Sequence, residues 1–122
     1  MAKILVVDDA LNVRTSLEKL LSEDGFETTT AADGDSALRV LDAERPDLIL
    51  LDINVAGPVG FETLIRIKEA APGIALILML AYDWPAGDTV AAEFGVFDIL
   101  IKPFDVAALK SLVRRALASG SG

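Results

Sequence analysis

Four continuous apolar runs and one threonine-rich run punctuate the chain, and the stretches between them place their apolar residues at helical spacing. The apolar runs are Ile4-Leu5-Val6-Val7, Leu48-Ile49-Leu50-Leu51, Ala75 to Leu80 and Ile99-Leu100-Ile101. Runs of this kind suit strands buried on both faces. Glu27-Thr28-Thr29-Thr30-Ala31 is more polar, and an edge position exposes it to solvent. Strands are thus predicted near residues 3–7, 27–31, 48–51, 75–80 and 98–101, with helices near 11–23, 34–43, 61–70, 86–94 and 106–117. Val13, Leu17, Leu20 and Leu21 form one helical stripe, and Gly25 supplies the stop. Asp33 and Asp105 stand where a carboxylate caps the second and fifth helices.

A fivefold β-α alternation closes most naturally as an α/β fold with helices on both faces of a doubly wound, five-stranded parallel sheet. The common strand order is 2-1-3-4-5, with a ligand crevice beyond the carboxyl ends of strands one and three. Asp8 and Asp9 close the first apolar run and Asp52 the third, so all three acids fall at that crevice. Three crowded carboxylates repel one another and are tolerated with a cation present or a proton retained. The cluster therefore reads as a divalent-metal site. Lys102, after the fifth strand, brings a positive charge to the same edge, which suits an anion held beside a metal.

Composition narrows the function classes. With 122 residues and 52% hydrophobic content the chain can bury roughly two thirds of its unfolded surface in one core. A net charge of −8 argues against direct nucleic-acid binding and against an anionic membrane surface. The absence of Cys and His removes disulfides, thiolate and imidazole ligands, and phosphohistidine. No leader pattern opens the sequence, and no apolar run approaches the ~20 residues of a membrane span, so a cytoplasmic location is expected. The domain is expected over 1–118, with 119–122 a flexible tail or cloning remnant.

Several short signals gain weight from their order. They are Asp8-Asp9, Arg14 with Leu17 and Leu21, Gly25, Asp33-Gly34 with Ala37-Leu38, Pro46-Asp47, Asp52-Ile53-Asn54, Gly60, Ala81-Tyr82-Asp83, Gly95 and Lys102-Pro103-Phe104. In this order and spacing the chain resembles the receiver (phosphoacceptor) domain of two-component response regulators over nearly its whole length. The resemblance implies a flavodoxin-like fold and a phosphoryl group passed to Asp52 from a histidine kinase, a phosphotransfer protein or a small phosphodonor. It implies Mg²⁺, or Mn²⁺, bound through Asp9, Asp52 and the Asn54 backbone carbonyl, with Asp8 acting partly through water. Lys102 and the Ala81 backbone N–H would bind the phosphoryl group, Tyr82 is a candidate gate, and the Lys102-Pro103 bond is cis in the family. A homodimer is left open.

The departures from the family pattern concern signalling. Leu80, 22 residues before Lys102, stands where the family carries Thr or Ser, and Ile99 where it carries Tyr or Phe. Both halves of the usual switch are missing. Ala56 stands at the family's usual Pro position, and Pro58-Val59 replace Met and Asp. The expectation is therefore phosphorylation with an atypical switch, for which the loop from Ala81 to Gly87 is a candidate. The alternatives are a phosphate sink or a phosphorylation-independent interaction module. A small phosphatase would need a second acid two residues after the nucleophile, where Asn54 offers an amide, so a conventional multiple-turnover enzyme is not expected. Blander roles are helix capping for Asp8 and Asp9, a plain loop acid for Asp52, a surface lysine for Lys102, packing anchors for Tyr82 and Trp84, and a solvated face for Glu18, Glu23 and Glu44.

Overall fold

The five strand segments pair in parallel, in the order β2-β1-β3-β4-β5. The structure is a computed structural model that describes residues 2–57, 61–81 and 87–120. Its elements are β1 Lys3–Val7, α1 Leu11–Glu23, β2 Glu27–Ala31, α2 Gly34–Glu44, β3 Leu48–Asp52, α3 Ile53–Ala56, α4 Glu62–Ala70, β4 Ala75–Leu80, α5 Gly87–Phe94, β5 Asp98–Ile101 and α6 Val106–Gly120. The threonine-rich strand lies at an edge, and the wholly apolar β4 lies inside. Pro58, Val59, Gly60, Tyr82, Asp83, Trp84, Pro85 and Ala86 lie outside the described residues, so the expected gate and most of the Ala81–Gly87 loop do too.

Strand alternation divides the core between the two faces of the sheet. Leu5, Ile49, Leu76 and Leu78 pack with Ala37 and Leu41 of α2, Leu64 and Ile67 of α4, and Val90 of α5. Ile4, Val6, Leu48, Leu50 and Ile77 pack with Leu17 and Leu21 of α1 and with Leu109, Leu112 and Val113 of α6. The α1 stripe is thereby covered, with Leu17 and Leu21 buried and Val13 and Leu20 packed against them.

The helix ends follow from local chemistry. The Phe26 and Gly25 N–H groups donate to the carbonyls of Leu21 and Ser22, closing α1 as a Schellman turn with Gly25 at φ 89°. Asp33 accepts from the Ser36 N–H at 2.8 Å and Asp105 from the Ala108 N–H at 3.0 Å, so both expected caps are present. A Cβ on Gly34 would stand 2.6 Å from Thr63 Oγ1, so glycine there lets α2 approach α4.

Two elements differ from expectation. The turn α3 follows β3 directly, and its four residues are too few to show helical periodicity in sequence. Helix α6 continues through Gly120, so Ser119 and Gly120 are helical where the tail was expected to begin. Once Leu109 to Ala116 anchor the helix, each further turn needs no new nucleation.

Candidate functional site

Period-two alternation carries the strand ends to one place. Asp8 continues the Ile4-Val6 set, Asp52 the Leu48-Leu50 set and Lys102 follows Leu100, all on the α1/α6 side of the sheet. Parallel register then brings them together, with β1 and β3 adjacent and the Lys102 N–H donating to the Leu80 carbonyl at 2.7 Å. One oxygen each from Asp8, Asp9 and Asp52 lie within 4.8 Å of one another.

The three acids have different surroundings. Asp8 is fully buried; Oδ1 accepts from the Ala10 N–H at 2.9 Å and Oδ2 from Lys102 Nζ at 2.6 Å. Asp52 is 1% exposed; Oδ1 accepts from Lys102 Nζ at 3.2 Å, while Oδ2 is buried without a hydrogen-bond partner. Asp9 is exposed. Ala10 is the N-cap of α1 and its own side chain makes no capping bond; Asp8 Oδ1 meets the Ala10 N–H instead of an N–H of the first helical turn. Asp52 closes β3 instead of lying in a loop, and the Lys102 ammonium is pinned between two buried carboxylates instead of being solvated.

Burial raises the Asp52 carboxyl above its ordinary range, and the nearby Asp8 charge adds to this; Lys102 opposes it. Burial pulls the Lys102 ammonium down, but its hydrogen bond to Asp8 and the charge of Asp52 outweigh that and leave it raised. A raised carboxyl means that the folded chain holds its proton to higher pH than the unfolded chain does. Ionised Asp52 therefore costs stability, and the cost is absent below the ordinary value of 3.8 and grows as pH rises through the folded value. In metal-free buffer, the stability deficit of the parent relative to Asp52→Asn should vanish at the acid end and widen toward neutral pH. Urea denaturation of both proteins across that range measures it. A deficit that shrank with rising pH would contradict the burial argument.

Asn54 is exposed in α3, two residues beyond Asp52, and Ala81 is exposed immediately after β4. Leu80 is 2% exposed in the core on the α2/α4/α5 face, and half-buried Ile99 packs against that same core. The Lys102-Pro103 bond is cis, as the resemblance implies. Glu18, Glu23 and Glu44 are exposed. Sequence reasoning gave Arg14 no role, yet its Nη1 donates to the Asp8 carbonyl at 2.8 Å. Asp8, Asp52 and Lys102 each stand two residues after a position packed on the α1/α6 face, namely Val6, Leu50 and Leu100, and that spacing within each strand gives them a common side.

The donor set fits a hard divalent cation. All its ligand atoms are oxygen, one of them is a buried carboxylate oxygen without a partner, and Lys102 answers only two of three clustered acids.

Residues 4–114 match the family model described as response regulator receiver domain. The chain is 36% identical over 115 residues to sporulation initiation phosphotransferase F of Bacillus subtilis, covering 94% of this chain and 93% of that protein. It is 37% identical over 115 residues to the regulatory protein AtoC of Escherichia coli, covering 94% of this chain and 25% of AtoC. The solved structure of NtrX from Brucella abortus superposes with a TM-score of 0.90 at 34% identity, covering 99% of this chain and 28% of that chain. The chain thus spans nearly all of the first relative and about a quarter of the other two.

Proposed function

Because this chain belongs to the response regulator receiver domain family, we propose that Asp52 accepts a phosphoryl group from a histidine kinase or a phosphotransfer protein. The observation that carries the assignment to Asp52 is its buried, unpartnered Oδ2 beside the Lys102 ammonium. A lone pair on that oxygen attacks phosphorus as the donor's P–N or P–O bond breaks. The leaving group departs with the bonding pair and takes up a proton.

Asp9, Asp52 and the Asn54 carbonyl would hold Mg²⁺ or Mn²⁺, with Asp8 contributing partly through water. Bound there, the cation would neutralise charge on the phosphoryl oxygens. Lys102 holds Asp52 Oδ1 and is placed to share that charge, and the Ala81 N–H is a second donor at the same edge. Asp8, with both carboxylate oxygens engaged, holds Lys102 in place. The phosphoryl group is taken up stoichiometrically and lost by hydrolysis, without conventional multiple turnover. The domain works in the cytoplasm with its donor; no described helix is long and apolar enough to cross a membrane. Incubation with a small phosphodonor and Mg²⁺ should add one phosphoryl group per chain by intact mass. Persistent failure with every donor would favour the phosphorylation-independent module.

Signalling then runs through an atypical switch, because neither Leu80 nor Ile99 carries the hydroxyl or aromatic ring of the family pattern. A different contact is available on the same face. The Phe61 N–H donates to the Gly57 carbonyl at 2.7 Å, just beyond α3, and the Phe61 ring lies 5.5 Å from the Phe94 ring at the end of α5. Phe61 holds φ 52°, a left-handed conformation that costs a residue with a side chain. With beryllofluoride as the phosphoryl mimic, amide shifts should spread from Asp52 to Phe94–Phe97 in the parent and stay local in Phe94→Ala. Shifts confined to Asp52, Ala81 and Lys102 in the parent would favour a phosphate sink.

A further inference from the structure

Asp8 sits between β1 and α1 with each of its polar groups engaged. Its N–H donates to the Ala31 carbonyl at 3.1 Å, its carboxylate accepts from Ala10 and Lys102, and its own carbonyl accepts from Arg14 Nη1 at 2.8 Å. Asp9, the next residue, makes no side-chain hydrogen bond or ion pair among the described residues. Only the backbone therefore sets the direction in which its Cβ leaves the chain, and with it the reach of the carboxylate. The peptide joining Asp8 to Asp9 sets that direction, and Arg14 is the side chain that grips its oxygen. Arg14 is half-buried, and among the described residues its guanidinium pairs with no carboxylate.

We propose that Arg14 is a positioning residue for the cation site: by fixing the Asp8–Asp9 peptide it directs the Asp9 carboxylate toward the cluster with Asp8 and Asp52. This rests on the receiver reading and deepens it. Groups that orient metal ligands from behind typically matter to metal affinity by about ten- to a hundredfold.

Charge and positioning predict opposite signs, which makes the idea testable. Removing a nearby cation strengthens the attraction of the cluster for Mn²⁺, whereas releasing the Asp9 carboxylate weakens it. Mn²⁺ binding to the whole chain, read from the electron paramagnetic resonance of free Mn²⁺, should be about tenfold weaker in Arg14→Ala than in the parent. Arg14→Lys, which keeps a donor, should recover part of the affinity, and phosphate uptake by Arg14→Ala should return to within about twofold of the parent at saturating Mg²⁺. Unchanged or tighter Mn²⁺ binding by Arg14→Ala would overturn the proposal, as would uptake that stayed lost at saturating Mg²⁺ while Mn²⁺ affinity was normal. If Arg14→Ala does not fold by circular dichroism, Arg14→Met, which keeps the apolar stem but no donor, is judged by the same Mn²⁺ criterion. A parent that takes phosphate on Asp52 but binds no Mn²⁺ would overturn this inference and leave the phosphoacceptor assignment standing. A parent that does neither would overturn both.

Discussion

Asp52→Asn should take up no phosphate under conditions where the parent takes one group per chain, and Asp52→Ala should behave in the same way. The three clustered acids are not equivalent nucleophiles. Asp8 has both carboxylate oxygens engaged, by the Ala10 N–H and by Lys102, and Asp9 is exposed with no hydrogen bond or ion pair to Lys102. Asp52 alone of the three offers a buried oxygen without a partner while its other oxygen is held by Lys102. An amide at that position is not a nucleophile, and an alanine has no oxygen to offer. Intact-mass measurement after incubation with a small phosphodonor and Mg²⁺ decides the matter. Labelling that persisted in both variants would mean that a different group carries the chemistry.

Lys102→Ala should destabilise the metal-free protein at neutral pH by about 3 kcal/mol, the lower end of the cost of removing one partner of a buried ion pair. The lower end applies because the lysine side chain is 21% exposed, so water can enter where the ammonium was. Asp8 and Asp52, 0% and 1% exposed, would then face each other without their ammonium. Mg²⁺ should return part of the loss by binding only the folded form, and Asp8→Asn in the same chain should return part by removing the repulsion. Urea denaturation at neutral pH, with and without Mg²⁺, provides the measurement. A loss below about 1 kcal/mol, the range of exposed ion pairs, would show that the buried pair contributes little.

The two predictions draw on different parts of the cluster. The first depends on a free oxygen and the second on a filled one. The same ammonium serves both, because Lys102 reaches two carboxylates from the end of β5 while its backbone N–H is tied to β4.

Most of the architecture was legible in the amino-acid order because burial imposes a period. Short runs such as Leu48 to Leu51 and Ala75 to Leu80, alternating with longer amphipathic stretches, suit strands covered on both faces, and Val13, Leu17, Leu20 and Leu21 suit a helix with one covered stripe. The polar β2 marked its own place at the edge for the same reason. Asp8, Asp9, Asp52 and Lys102 were readable as site residues because each closes such a run or directly follows the closing acid, and parallel strands deliver their carboxyl ends to one side. Contacts across the sheet decided the rest. Residue order alone cannot say that Asp8 is fully buried and paired while its neighbour Asp9 is exposed, since that depends on which way each side chain points from one turn. Nor can it say that Asp52 keeps one oxygen without a partner, that Arg14 turns back to grip the Asp8 carbonyl, or that the rings of Phe61 and Phe94 meet. Each of these joins groups through space at distances of a few ångströms. Sequence periodicity carries the face of an element and its approximate ends, but hydrogen bonds and ion pairs require the tertiary arrangement that sets distance and direction.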